Sequence, residues 1–289
     1  MERWPVIDTH FHVGVNGITT FLAEEDLIPW MDKAGTDIQY VCQLNEGFMH
    51  KTPEWNPYLG NDYIARIQNM FPDRVRGLAT INPYQQAPAS YLWPSSREGQ
   101  RFDRPVRNET LEELDRCFLE LGLFGLKMHP YEHGYPVNFR PIIWPMMERL
   151  TELQRQVGRT LLILIHGGGD TPFNSTEAIG DLAAHFPEIL FLHSHAGFIW
   201  GGFNLADHSA KYDNVMLDLT TCPQKGIVME SYRRYGARKF CVGTDGPFVG
   251  HHVPRNIVYD LTEDAEERDL MMGGNLAQRL GISKVTARS

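Results

Sequence analysis

Eight strand-length apolar segments alternate with helix-length segments through this 289-residue chain, and nothing else in the sequence restricts its fold as strongly. The strands read Val6–His12, Ile38–Cys42, Val75–Ile81, Gly125–His129, Leu161–His166, Ile189–His195, Val215–Asp218 and Phe240–Asp245. Between them Glu24–Ala34, Tyr58–Met70, Glu109–Leu121, Ile142–Val157, Thr176–His185, Leu205–Tyr212 and Lys225–Tyr235 read as helices. In the third of these, Leu111, Leu114, Phe118 and Leu121 recur on one helical face. Alternating β and α segments favour a parallel sheet covered by helices. Eight repeats predict closure into a (β/α)8 TIM barrel, an α/β fold, with an open doubly wound sheet as the alternative. A single domain over residues 1–289 is expected, because such barrels commonly run near this length.

The connections are unequal. Helix-to-strand turns are short: Phe71–Arg74, Phe186–Glu188, Tyr212–Asn214 and Tyr235–Arg238. Strand-to-helix loops are longer, and the longest, Pro83–Asn108, is rich in Pro, Ser, Gln and Arg. In a barrel these loops build the C-terminal mouth, where active sites sit. Residues 83–108 therefore read either as a lid or as a tolerated surface insertion.

Composition narrows the partners. Lys and Arg number 27 against 36 Asp and Glu, a net charge of −9, which argues against a nucleic-acid partner, since that needs basic surface. Cys42, Cys117, Cys222 and Cys241 are scattered without a CxxC pair, as reduced thiols of a cytoplasmic protein would be. No targeting segment is visible, and the longest interior aliphatic run, Leu161–Ile165, is too short to span a membrane. The expected partner is a small-molecule substrate; a homo-oligomer is compatible with the sequence.

The chemistry gathers on strand ends. His10 and His12 stand two positions apart on the first strand, so both imidazoles project to one face. Taken alone, the pair reads equally as metal ligands or as core histidines in hydrogen bonds. His166 closes the fifth strand ahead of three glycines, and Asp245 is the last inward position of the eighth. Alternation sends Cys241, Gly243 and Asp245 to the lumen, and Phe240 and Val242 to the helices. On the first strand the same alternation puts Asp8, His10 and His12 inward and Ile7, Thr9 and Phe11 outward. His10, His12, His166 and Asp245 then converge at one end of the barrel. Three imidazoles and a carboxylate suit one Zn²⁺, and also Mn²⁺ or Fe²⁺.

Other strand ends add polar groups. His195 lies nearer the mouth than His193 and suits acid–base work or polarisation of a carbonyl; His193 suits a buried hydrogen bond. Lys127 and His129 share a face of the fourth strand. Lys127 reads as a binder of a substrate carboxylate, as a carbamylated bridge between two metals, or as a buried lysine satisfied by Asp8 or Asp218. Asp218 supports the ligands from behind. Aromatic and cationic residues of the mouth loops, Trp200 and Arg255 among them, either line an anionic-substrate pocket or pack the loops together. Lys127, His129, Arg255 and Trp200 are the substrate-binding candidates.

Taken in order, Asp8-Thr9-His10-Phe11-His12, Gly125-Leu126-Lys127-Met128-His129-Pro130, His166-Gly167-Gly168, His195-Ala196-Gly197 and Gly243-Thr244-Asp245 resemble the amidohydrolase superfamily. The closest likeness is to its "amidohydrolase 2" branch of aminocarboxymuconate-semialdehyde decarboxylase-like, metal-dependent enzymes, whose closing helix Gly273–Leu280 also resembles. The resemblance implies a distorted barrel with one divalent metal, usually zinc. It implies His10, His12, His166 and Asp245 as ligands, Asp245 as proton shuttle and His195 as the residue that orients or polarises the substrate. Relatives with two metals carry a carbamylated lysine near the place of Lys127. The first expectation for the reaction is hydrolysis of an amide, lactone or ester by a metal-activated water. Non-oxidative decarboxylation of a small unsaturated or aromatic acid is the second, and a catalytically idle metal-binding barrel the third.

Overall fold

The structure, a computed structural model, describes residues 2–15, 20–21, 23–43, 58–81, 83, 109–167, 173–197, 207–222 and 225–286. Eight parallel strands form a nearly closed barrel ringed by helices, a (β/α)8 TIM barrel. In chain order they are β1 (Ile7–Val15), β2 (Ile38–Gln43), β3 (Val75–Thr80), β4 (Gly125–Met128), β5 (Leu162–His166), β6 (Leu190–Ser194), β7 (Val215–Asp218) and β8 (Phe240–Cys241). Each pairs with the next in parallel register from β1 through β8. The helices Tyr58–Met70, Thr176–His185 and Lys225–Tyr235 keep the bounds that their periodicity predicts. Thr176–His185 starts where it does because the Ser175 hydroxyl accepts a hydrogen bond from Ala178 N, satisfying one orphan amide of the first turn. The segment Pro83–Asn108 lies outside the described residues, apart from Pro83 itself.

The strands are apolar on both faces, as buried parallel strands must be. Val41, Ala79, Leu126, Ile163, Ile165, Phe191 and Val215 pack outward against the helices. Ile38, Tyr40, Leu78, Leu162, Leu164, Leu190, Leu192 and Met216 fill the barrel from within, and Leu276 and Ala277 of the closing helix join that inner cluster. The inner hydrophobic fill stops at Leu164 and Leu192. Above them, the next inward positions of β5 and β6 are His166 and Ser194, paired in register.

Closure at the β1–β8 seam depends on individual backbone bonds. Thr9 N donates to Val242 O (3.0 Å), Asp245 N to His10 O (2.8 Å) and His12 N to Gly246 O (2.6 Å). These bonds set the two ligand-bearing segments side by side. On its other side β1 carries a register shift against β2: Asp8 opposes Gln39, whereas Phe11 opposes Val41. A bulge of one residue turns successive side chains to the same face. It corrects the simple alternation expected for β1. Ile7 belongs to the inner cluster and the Thr9 hydroxyl lies beside Gly243 in the lumen. His10 and His12 still face inward, Phe11 packs outward, and Asp8 turns to Thr244, whose N (2.9 Å) and Oγ1 (2.7 Å) donate to its carboxylate.

Candidate metal centre

At the C-terminal end of the barrel, His10 Nε2, His12 Nε2 and Asp245 Oδ1 form a small triangle. The His10–His12 edge is 3.1 Å, the His12–Asp245 edge 3.1 Å and the His10–Asp245 edge 3.4 Å. His195 joins it: His10, His195 and Asp245 bring ligand atoms within 4.8 Å of one another, as do His10, His12 and Cys42. Both groups overlap the triangle, sharing His10 with it and either His12 or Asp245. His166 is in neither. It lies one step out, with Nδ1 3.2 Å from His195 Nε2 and its ring stacked on His129 (3.8 Å, 16°).

The proton positions follow from the partners. Gln43 O lies 3.3 Å from His12 Nδ1, and Thr220 O lies 3.2 Å from His195 Nδ1. A carbonyl can only accept, so each of these nitrogens carries the ring hydrogen. His10 Nδ1 is 3.0 Å from Ser194 Oγ, whose own hydrogen is directed to Asp218 Oδ2 at 3.3 Å. His10 therefore donates from Nδ1 as well. Its Nε2 accepts from Lys127 Nζ at 2.8 Å. His195 Nε2 is then an acceptor for His166 Nδ1, which leaves the lone pair of His166 on Nε2. When His12 is neutral its Nε2 is an acceptor as well, so the triangle sets three acceptor atoms face to face, with Lys127 donating to one of them. The donor set of imidazole nitrogens and a carboxylate fits a divalent transition metal.

Electrostatics agree with neutral rings. Burial, followed by the charge of Lys127, holds His10 well below its ordinary range. Burial and then His129 do the same to His166. His195 is lowered to about 4 by burial, against the pull of Asp245. His193, whose Nδ1 bonds Ser209 Oγ at 2.9 Å as a buried histidine should, is lowered by burial to about 3. Burial alone would raise Asp245. The closeness of His12, His195 and Lys127 outweighs it and holds the carboxyl below the usual range. Burial pushes Asp218 up to about 7 despite its bonds from Thr220.

Two of these residues sit on strained backbone. Asp245 has φ +59° and His195 φ +58°, followed by Ala196 at +35°. Left-handed conformations of non-glycine residues cost on the order of 1–3 kcal/mol and gather at functional sites. Gly243, two residues before Asp245, has no room for a side chain. A Cβ there would stand 2.6 Å from Thr9 Oγ1 and 2.8 Å from Asp218 Oδ1.

The chain matches the family model described as Amidohydrolase over residues 96–281. It belongs to the amidohydrolase family. Over 197 residues it is 25% identical to 2-keto-4-carboxy-3-hexenedioate hydratase of Sphingobium sp.. That match covers 58% of this chain and 51% of the relative, so it spans about half the relative's length. Among solved structures, the 5-carboxyvanillate decarboxylase of Sphingomonas paucimobilis superposes with a TM-score of 0.65 at 15% identity, covering 97% of this chain and 100% of that one. A dihydroxybenzoic acid decarboxylase of Polaromonas sp., solved with manganese and an inhibitor, superposes at 0.66 and 14% identity, covering 96% of each chain. At these identities the two structures establish the shared fold.

Within this amidohydrolase-family barrel, the residues expected from sequence fare differently. His10, His12, Asp245, His195 and Lys127 come together; His166 and His129 border them. Arg255 does not join them: its guanidinium donates to Ala34 O and, at 3.0 Å, to Thr36 Oγ1, at the end of the helix Ile28–Ala34. Trp200 lies outside the described residues. Ser194 and Thr220, which touch His10 and His195, carry no motif of their own. The one hint in the sequence is that Ser194 stands between two histidines on an inward-facing strand end.

Proposed function

We propose that the protein is an enzyme that holds one divalent cation, Zn²⁺ or Mn²⁺, with Fe²⁺ chemically admissible, and acts on a small anionic organic substrate. The observation that carries this is the triangle of His10 Nε2, His12 Nε2 and Asp245 Oδ1, with edges of 3.1, 3.1 and 3.4 Å. His10, His12 and Asp245 hold the cation. His166, whose Nε2 makes no hydrogen bond among the described residues, completes the set as the family pattern implies. A divalent cation lowers the pKa of a water it binds and polarises a carbonyl or carboxylate oxygen. Asp245, ionised, takes the proton of the attacking water and returns it to the leaving amine or alcohol. His195, neutral and grouped with His10 and Asp245, hands protons on. The Lys127 ammonium pairs with a carboxylate of the substrate, and His129 flanks it. Hydrolysis of an amide, lactone or ester is the first reading.

A second reading is favoured by the placement of Lys127 beside His10 and by the names of the relatives, decarboxylases and a hydratase. It is non-oxidative decarboxylation. The bond to the substrate carboxylate breaks, its electron pair stays on carbon, carbon dioxide leaves, and a proton taken up from solvent and passed on by Asp245 takes its place. The four buried free thiols and the net charge of −9 favour a cytoplasmic setting without nucleic acid. No helix among the described residues is long and apolar enough to cross a membrane.

Metal analysis of the purified protein, followed by a screen of the metal-replete enzyme against lactones, amides and carboxylic acids with detection of carbon dioxide, tests both readings. Chelator-sensitive turnover without carbon dioxide supports hydrolysis, and carbon dioxide release supports decarboxylation. A metal-loaded protein that turns over nothing returns the idle-barrel reading.

A further inference from the structure

Behind the metal centre lies a carboxylate that touches none of the proposed ligands in any bond described above. Asp218, at the end of β7, is completely buried. Its Oδ2 accepts from Thr220 Oγ1 at 2.6 Å and from Ser194 Oγ at 3.3 Å, and its Oδ1 accepts from Thr220 N at 3.1 Å. Each of those partners then reaches a different histidine. Ser194 Oγ lies 3.0 Å from His10 Nδ1, and Thr220 O lies 3.2 Å from His195 Nδ1. His10 and His195 stand on β1 and just after β6, edge to face with centroids 5.4 Å apart.

We infer that Asp218 is a positioning residue that sets the proton arrangement of two histidines at once, His10 through the Ser194 hydroxyl and His195 through the Thr220 carbonyl. The inference rests on the metal-centre reading above for its purpose, although not for its geometry. The logic is one of counting hydrogens. A serine hydroxyl has one hydrogen and two lone pairs. Ionised, as at the pH 8 of the test below, Asp218 only accepts, so it draws that hydrogen and leaves Ser194 with lone pairs alone for His10. The ring must then donate from Nδ1 and present Nε2 inward. On the other side, two bonds from Thr220 to Asp218 hold the Thr220 peptide so that its carbonyl meets His195 Nδ1. Histidines that bind metals commonly give their second nitrogen to a carboxylate, directly or through a carbonyl or water, and losing that partner typically weakens metal affinity by ~10–100-fold. Here one carboxylate serves two rings, each through an intermediary.

A purely structural Asp218 would merely anchor the end of β7. A double-mutant cycle on metal affinity separates the two roles, with Mn²⁺ and Zn²⁺ titrated against a chromophoric chelator. Ser194→Ala is expected to weaken binding by ~10–100-fold with little change in Tm. Ser194→Thr, which keeps the hydroxyl, should restore binding to within about threefold of wild type. Asp218→Asn should weaken binding at least as much as Ser194→Ala, and the double variant should be close to Asp218→Asn alone, because the two act along one path. The second readout needs no metal. In the metal-free, ¹⁵N-histidine-labelled protein at pH 8, a protected Nδ1 proton of His10 should be seen in wild type and Ser194→Thr and be lost in Ser194→Ala. Ser194→Ala that binds within twofold of wild type and keeps that proton overturns the inference, as do losses that simply multiply in the double variant. If Asp218→Asn does not fold, the Ser194 pair decides alone. A wild type with the protected proton but no metal affinity would sink the metal-centre reading and leave the proton arrangement standing.

Discussion

His12 Nε2 and Asp245 Oδ1 lie 3.1 Å apart although 233 residues separate them along the chain. The barrel seam makes that possible. His12 N donates to Gly246 O and Asp245 N to His10 O, so the backbone that joins β1 to the end of β8 is also the backbone that sets the ligands. Barrel closure and assembly of the site are one event.

Asp245→Asn tests the double duty of that carboxylate. Asparagine keeps the shape and loses the basic oxygen, so the protein should fold and its metal affinity should fall. With metal in excess and occupancy checked in the same samples, kcat should remain lower by roughly 10²–10⁴, the range of a general acid–base group. Near-wild-type kcat at full occupancy would reduce Asp245 to a ligand and move the proton work to His195.

His166 and His195 compete for one assignment. His195→Asn is expected to lower turnover with metal content near wild type, and His166→Asn to lose metal. The reverse pattern would make His195 the fourth ligand, consistent with its place among His10 and Asp245. Metal content by mass spectrometry of both purified variants separates the two cases.

Gly243→Ala should disturb the centre without touching a ligand. Its Cβ would stand 2.6 Å from Thr9 Oγ1 and 2.8 Å from Asp218 Oδ1, with rigid β1 and β7 behind them. Overpacking of this kind costs about 1–3 kcal/mol. A lowered Tm together with reduced metal content is expected; a variant with unchanged Tm and full metal would show that the lumen gives way more easily than this packing implies.

Lys239 gives stability a pH dependence far from the site. Its Nζ donates to Tyr212 O at 2.6 Å, and burial lowers it from the ordinary 10.5 to about 8. Below pH about 8 the ammonium is charged in both states and the folded state carries the cost of burying it. Between about 8 and 10.5 the folded protein releases the proton while the unfolded chain keeps it, so that cost fades as pH rises. The Tm difference between Lys239→Met and wild type should therefore move in favour of wild type from pH 7.5 to 10. A difference that does not change with pH would show that burial leaves this lysine unshifted.

Much of this protein was legible in its sequence because local rules govern it. Apolar runs of strand length, helical periodicity and short helix-to-strand turns are consequences of neighbouring residues, and they yield the eight strands and the barrel. The meeting of His10, His12 and Asp245 at the mouth follows from the same rules, since strand ends in a barrel face its mouth whatever the loops contain; His166, expected with them, borders them instead. The tertiary structure decided the rest. The bulge after Asp8 arises from fitting β1 between β2 and the end of β8, a constraint that no window of β1 contains, and it reverses the facing of Ile7, Asp8 and Thr9. Arg255 reads as a mouth cation, yet packing brings the last carbonyl of the helix Ile28–Ala34 and the Thr36 hydroxyl within its reach and its donors go there. Ser194 and Thr220 acquire partners only through contacts between β1, β6 and the end of β7, and the same contacts show which groups stand between Asp218, expected behind the ligands, and the histidines. A hydroxyl or carbonyl acquires direction from the group placed opposite it, and that placement exists only once the barrel has closed.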